Sequence, residues 1–294
     1  MSDGLLGGIE AGGTKFVLAV GESPSRVRAT QTIPTRDPSA TLAEALDWFE
    51  QQGKLCAIGI ASFGPVELDK ASPAWGHILK TPKPNWSDCD LAGFFGRALS
   101  VPIGFETDVN GAALAEYHHG AGRGASSLTY VTVGTGIGGG TIINGRLLHG
   151  AGHPELGHIY PRRLPGDQDF AGFCPFHGDC LEGLACGPAI IARWGSSLSD
   201  LPSDHEAHDL VAGYLAQMCH SIYASMATEI IVLGGGVMKT PGLLDKVVKR
   251  AEELGAGYFP SRENHKIVSP ALGDNAGLTG TLLLAEAALR GEQS

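Results

Sequence analysis

Apolar positions in this chain fall in short runs punctuated by glycine turns. Residues 5–21, LLGGIEAGGTKFVLAVG, read as an apolar run, a tight Gly12-Gly13 turn and a second apolar run, the pattern of a β-hairpin. Residues 130–145, YVTVGTGIGGGTIING, follow the same grammar, and aligning Gly12-Gly13-Thr14 with Gly138-Gly139-Gly140 predicts a second hairpin turning there. Residues 57–66, AIGIASFGPV, form a buried-strand run ending in a Gly-Pro turn. Residues 229–238, EIIVLGGGVM, form another, ending in three glycines. Each half thus holds a glycine-turn hairpin and, later, a strand ending in a glycine loop. The pattern is a weak internal duplication, with an insertion in the second copy.

Helical spacing fills the intervals. Leu42, Leu46 and Phe49 mark one helix, with Gly53 as its stop. A short strand at Val101–Phe105 leads into a predicted helix at Asn110–His119. Leu210, Tyr214, Met218, Ile222 and Met226 make a stripe at i+4 steps. Residues 241–254 open with Pro241 and end before Gly255, and a last helix covers Ala276–Leu289. Strands alternating with helices predict an α/β fold with largely parallel sheets. Lacking a Pro/Gly/Ser linker, the chain should form two closely packed lobes with a cleft between them. The smaller is expected over 1–118 plus the C-terminal helix 276–294, the larger over 119–275.

Composition narrows the partners. Of 294 residues, 43 are glycine and 43% are apolar, which excludes disorder, collagen and a small disulfide scaffold. The glycine excess asks for loops where backbone approaches something closely. Net charge is −10, and without a Lys/Arg cluster a nucleic-acid partner is not expected. Met1-Ser2-Asp3-Gly4 opens no signal peptide, and the longest uncharged stretches carry glycines or polar residues. A cytoplasmic protein without a membrane span is therefore expected. Its six cysteines are read as thiols or metal ligands rather than disulfides.

Three constellations could carry chemistry. In Glu10-Ala11-Gly12-Gly13-Thr14-Lys15, the Gly-Gly turn makes a concave nest of backbone N–H groups for anionic oxygens; Thr14 adds a hydroxyl and Lys15 a charge. The P-loop spacing is absent, and an ordinary hairpin fits these residues alone equally well. Gly134-Thr135-Gly136-Ile137-Gly138-Gly139-Gly140 has more glycine than a turn needs, so two phosphate nests, one per lobe, are expected. Gly234-Gly235-Gly236 is a third close-approach surface, suited to a purine or ribose. Asp108 lies where a strand passes into a helix, a position for a catalytic carboxylate or for an N-cap, and Asn110 could cap instead. Cys174-x2-His177-x2-Cys180, with His158 from His153-Pro154-Glu155-Leu156-Gly157-His158, supplies the two sulfur and two nitrogen donors of a tetrahedral, closed, structural zinc site. Glu155 and Glu182 flank these ligands and could accept hydrogen bonds from sugar hydroxyls. Cys56, Cys89, Cys186 and Cys219 read as core thiols.

Taken together, these residues resemble the ROK family of sugar kinases, of the actin/hexokinase/heat-shock-70 ATPase superfamily. The resemblance runs from about Leu5 to Leu289. Glu10 to Lys15 is similar to the family's first phosphate motif, Gly134 to Gly140 to its second, and Glu155-Leu156-Gly157-His158 to its sugar and zinc motif. Asp108, with Asn110 and the following Ala-rich helix, is similar to the catalytic aspartate segment. There are departures: His177 stands among the zinc ligands, Thr107 replaces the common Asn before the aspartate, and the run before Glu155 is lengthened. All three resemble the bacterial fructokinase branch. The resemblance implies two actin-like (ribonuclease H-like) lobes and an ATP-dependent fructokinase, with Asp108 as general base for the sugar's 6-hydroxyl. It further implies phosphate and nucleotide contacts at Gly12, Gly13, Thr14, Lys15, Thr135, Gly136, Pro188 and Gly234 to Gly236. Sugar contacts are implied at Thr107, Glu155, His158 and Glu182. Mg2+ would come with ATP near Glu10, Zn2+ would sit at His158, Cys174, His177 and Cys180, and the chain would be a homodimer. A broader mannose or glucose kinase, and a catalytically silent sugar sensor, are the alternatives.

Overall fold

The computed structural model describes residues 4–292, so most of the Met1–Gly4 segment read above for a signal peptide lies outside the described residues. In chain order the elements are β1 (Leu5–Ala11), β2 (Lys15–Ser23), β3 (Arg26–Pro34), α1 (Pro38–Glu50), β4 (Leu55–Ser62), β5 (His77–Ile78), β6 (Cys89–Asp90), α2 (Leu91–Leu99), β7 (Ile103–Thr107) and α3 (Asp108–His119). They continue with β8 (Ser127–Val133), β9 (Ile137–Ile143), β10 (Arg146–Leu147), α4 (Leu181–Ala185), α5 (Gly187–Trp194), α6 (Glu206–Met226), β11 (Ile230–Gly234), α7 (Leu243–Gly255), β12 (Lys266–Val268) and α8 (Ala276–Arg290). The chain divides into two compact units. The first comprises residues up to His118, Arg146–His153 and the segment from Asp274 onward; the second comprises His119–Gly145 and Pro154–Gly273.

In the first unit the sheet order is β3-β2-β1-β4-β7. β1 and β2 form the expected hairpin about Gly12–Thr14, and β4 and β7 follow parallel to β1. On one face α1 and α2 cover a core that includes Phe16, Phe49, Trp86 and Phe95. Asp37 caps α1 by accepting from Ser39 N, and Pro38 supplies the preset φ of its first turn. On the other face lies α8, which packs on β1, β4 and β7. Its docking rests on a row of glycines. Gly8, Gly59 and Gly104 are neighbours across β1, β4 and β7. A Cβ on Gly8 would overlap the Thr281 hydroxyl, one on Gly59 the Thr281 carbonyl, and one on Gly104 the Leu284 carbonyl. The helix backbone therefore lies almost directly on the strands.

The second unit repeats this plan. Its strands run β9-β8-β11-β12, an antiparallel hairpin followed by two parallel strands. The predicted stripe on α6 is buried: Tyr214, Met218 and Ile222 belong to the core with Val131, Leu184, Ile190 and Leu233. One expectation is corrected here. The hairpin turns at Gly134–Gly136, not at Gly138–Gly140, which lie inside β9 opposite Thr132, Val131 and Tyr130. Gly139 is needed there for packing, because a Cβ would run into Leu156. Two smaller corrections concern the first unit. The strand predicted at Val101–Phe105 is β7, two residues further on because Pro102 cannot donate to the ladder, and the following helix starts at Asp108 rather than Asn110. No helix among the described residues is long and apolar enough to cross a membrane.

Candidate active site and metal centre

Glu10, the Gly12–Lys15 turn, Thr107 and Asp108 gather at one edge of the first sheet. Ala11, Ser62 and Thr107 pair in a row at the C-terminal ends of β1, β4 and β7. From this edge spring the Gly12–Thr14 turn and the first turn of α3, the usual position for ligand contacts in α/β sheets. Gly12 N donates to Lys15 O at 3.0 Å, and the Thr35 hydroxyl pins Gly12 O at 2.7 Å. Gly13, Thr14 and Lys15 stay exposed, and no atom lies within 4 Å of where a Cβ on Gly13 would be. The turn is therefore fixed at its base and open at its tip, as an anion nest requires. Glu10, at the end of β1, is largely buried. Burial raises its carboxyl above the ordinary range, Lys15 pulls it partly back, and Asp274 adds to the rise. Gly277 in α8 leaves it room, since a Cβ there would stand 2.5 Å from its carboxylate.

At the β7–α3 junction the hydroxyl of Thr107 accepts from Asn110 N at 3.1 Å. Thr107 thus caps α3 itself, the role that residue pattern alone divided between Asp108 and Asn110. The Asp108 carboxylate accepts from Val109 N at 2.9 Å and is half-buried. Two residues not singled out from the sequence meet at the same junction through Asn110. The buried Glu106 carboxylate accepts from Asn110 Nδ2 at 2.7 Å and meets His149 Nε2 at 2.8 Å. The hydrogen bond to Glu106 raises the His149 imidazole above its ordinary value, against the effect of burial. Glu106 reads in the sequence as one more β7 position, and His149 lies far along the chain, so no spacing rule connects them.

The second unit gathers the remaining candidates. Gly134–Gly136 closes on itself through Gly134 N to Gly136 O at 2.9 Å, and Gly187 N, in the first turn of α5 beside Pro188, donates to Gly134 O at 2.8 Å. Gly234 ends β11, and Gly235 takes φ +91° where a Cβ would strike the Val133 backbone. A Cβ on Gly134 would come within 3.9 Å of Gly236 N. The two glycine loops, Thr135 and Pro188 are therefore neighbours at the C-terminal ends of β8 and β11. Glu182 reaches into the same place and accepts from Ile137 N at 3.0 Å.

Behind Glu182 lies the four-donor centre. One ligand atom from each of His158, Cys174, His177 and Cys180 lies within 4.8 Å of the others. The His158 and His177 Nδ1 atoms are 3.3 Å apart, and the His158 Nδ1 atom is 3.6 Å from Cys180 Sγ and 3.9 Å from Cys174 Sγ. A tetrahedral ion with ordinary Zn–N and Zn–S bonds has edges of roughly 3.3 Å for N···N and 3.6 Å for N···S. The donor set and its spacing fit such an ion. Burial pushes the Cys180 thiol up to about 11. A cation at the centre opposes this, because the metal-bound form is the thiolate. Glu155 Oε2 lies 4.0 Å from His158 Nε2, on the outer side of the ligand ring. Arg163 braces the loop by bonding Asp179 at 3.0 Å and Phe170 O at 2.8 Å.

The chain is similar to known proteins along nearly its whole length. The model of the ROK family matches residues 6–288. The fructokinase of Zymomonas mobilis subsp. mobilis is 45% identical over 292 residues, covering 97% of each chain. The ROK hexokinase of Thermus thermophilus superposes with a TM-score of 0.79 at 27% identity, covering 98% of this chain and 99% of that one. A ROK family glucokinase from Streptomyces griseus, solved with glucose and AMPPNP, gives a TM-score of 0.75 at 25% identity, covering 96% and 99%. The chain belongs to the ROK family.

Proposed function

We propose that this protein is an ATP-dependent fructokinase, transferring the γ-phosphoryl group of ATP to the 6-hydroxyl of D-fructose. The observation that carries the reading is the 45% identity to the Zymomonas mobilis fructokinase along 97% of both chains. Asp108, at the β7–α3 junction, is assigned as the general base that takes the hydroxyl proton. Phosphoryl transfer is mostly positioning and charge stabilisation, so a modest base suffices. Gly12, Gly13, Thr14, Lys15, Thr135 and Gly136 are assigned to the phosphates, and Pro188 with Gly234, Gly235 and Gly236 to the nucleoside. Glu155, His158, Glu182 and Thr107 are assigned to the sugar. Mg2+ bound with ATP would neutralise charge on the phosphate oxygens, with the Glu10 carboxylate near it. The His158, Cys174, His177 and Cys180 centre is assigned to Zn2+ in a structural role, since all four tetrahedral positions are filled by protein.

The similarity to a glucokinase and a hexokinase favours one second reading, a broader hexokinase acting also on mannose or glucose. ADP release from the purified chain, measured with ATP, Mg2+ and fructose, mannose or glucose in turn, decides between them. Fructose should give the highest kcat/KM, because a buried site built for one set of hydroxyls strongly rejects another. Equal turnover of all three establishes the broader kinase, and sugar binding without ADP release overturns both.

A further inference from the structure

We propose that His149 is a positioning residue for the Asp108 junction, acting as the cation that neutralises the buried carboxylate of Glu106. The inference rests on the reading of Asp108 as the catalytic base. Glu106 is 2% exposed and lies two residues before Asp108. A carboxylate so buried needs both hydrogen bonds and an opposite charge. Its hydrogen bonds come from Asn110 Nδ2 at 2.7 Å and from Thr107 N at 3.2 Å. Its counter-charge comes from His149 Nε2 at 2.8 Å, brought by the separate Arg146–His153 segment of the same unit.

The geometry ties this pair to α3. Asn110 is 1% exposed, and its Nδ2 is committed to Glu106 while its backbone N–H is committed to Thr107 Oγ1. The Asn110 Oδ1 atom is buried without a hydrogen-bond partner among the described residues, and the side chain's other close polar neighbour is His149 Nε2, 3.4 Å from Nδ2 against 2.7 Å for Glu106. Glu106 therefore orients Asn110 and, with Thr107, sets the first turn of the helix that carries Asp108. Among the groups facing His149, Glu106 on β7 is charged and Asn110 on α3 is neutral. Loss of the imidazolium would leave a lone buried anion two residues before the base, at a cost that favours drawing the Glu106 side chain away from Asn110 and so moving the first turn of α3. His149 itself is partly solvated, with 32% of its side chain exposed, so solvent protons reach it directly and its charge follows the pH of the medium.

The test is a charge cycle on the full-length enzyme, reading kcat against pH by ADP release with fructose. His149→Gln should lower kcat by about tenfold or more at neutral pH, with KM for ATP changed much less, as expected for displaced reacting groups. The double variant Glu106→Gln/His149→Gln, which removes both charges, should recover kcat to within about threefold of the parent, a strong non-additivity between neighbours. In the parent, kcat should fall on the alkaline side as His149 loses its proton. His149→Lys should move that limb upward by at least about one pH unit, since a lysine stays charged longer. Unchanged kcat and profile in His149→Gln, or a double variant no better than the single, overturns the proposal. If the parent phosphorylates no sugar, the fructokinase reading fails on its own. The proposal is then decided by NMR titration of the His149 imidazole, which should titrate above 6.5 in the parent and return toward 6.5 in Glu106→Gln. Identical titration in both overturns it.

Discussion

Glu182 accepts a hydrogen bond from the backbone N–H of Ile137 at 3.0 Å, joining the segment that follows Cys180 of the four-donor centre to the residue that follows the Gly134–Gly136 turn. A Cβ on Gly136 would stand 2.6 Å from the same carboxylate oxygen. The glycine is therefore required by Glu182, and the loop takes its position from it. Replacing Glu182 by Ala leaves the Ile137 N–H without its acceptor, at a cost of about 1–3 kcal/mol where the group stays buried. The expected outcome is a lowered Tm with a raised KM for ATP. Glu182→Gln, which keeps an acceptor at that place, should recover Tm but not the sugar affinity assigned to the charge. Equal KM for ATP in the Ala variant and the parent would break the link between metal segment and loop.

Removing the metal should act through the same link. The four donors come from a loop of long connections, and a structural ion contributes its binding free energy to the folding of that loop. Elemental analysis should find about one zinc per chain. Chelation, or Cys180→Ser, should lower Tm, raise KM for the sugar and for ATP, and leave the far-UV circular dichroism nearly unchanged, because the sheets and α6 have their own core. A folded, active chain without bound metal would sink the assignment.

Much of the fold is legible in the sequence because hydrophobic periodicity is local. The β1–β2 hairpin, α1, α6, α7 and α8 all lie where spacing predicts them. The glycines are legible only in part. Those in the nucleotide-type loops are found by their clustering, but Gly8, Gly59 and Gly104 lie in three separate strands far apart in the chain. Their meaning depends on the register that aligns them and on a helix from the other end of the chain. The misplaced second turn has the same origin: Gly138–Gly140 look like a turn, and only pairing with Thr132, Val131 and Tyr130 shows them to be strand. In the site, the strand-to-helix position of Asp108 and the clustering of His158, Cys174, His177 and Cys180 follow from residue type and spacing. Glu106 and His149 are not, because their relation is purely three-dimensional.

Gly59→Ala tests the glycine row. The added methyl would overlap the Thr281 carbonyl, which is helix backbone and cannot rotate away. The whole of α8 would have to lift, so a loss of about 3 kcal/mol or more is expected, at the upper end for overpacking. Gly13→Ala, where the Cβ meets open space, should leave Tm nearly unchanged while raising KM for ATP. Similar Tm values for both variants would contradict the close docking of α8.

Asp108→Asn removes the assigned base and keeps its shape. The Val109 N–H retains an oxygen acceptor and the Thr107 cap is untouched, so Tm should stay close to that of the parent. A fall in kcat of about 10²–10⁴ is expected for loss of a general base, with KM little changed. Wild-type turnover in this variant would show that the proton leaves by another route.

Glu10 gives a pH-dependent test with a defined sign. Its folded-state carboxyl is raised above 4.5, chiefly by burial. A group raised in the folded state binds its proton more tightly there, so stability falls as pH rises from 4.5 through the folded value. Above that window the ionised, buried Glu10 is a cost to the protein without nucleotide and metal. Glu10→Gln should therefore raise Tm by a few degrees at pH 7 and leave it unchanged near pH 4, where Glu10 is already neutral. The same variant should lose activity and show a weaker dependence on Mg2+ concentration, because the charge that destabilises the bare fold is the one assigned to the cation. A Tm gain of equal size at both pH values would mean that the substitution acts through packing. Undiminished Mg2+-dependent activity would place the cation elsewhere.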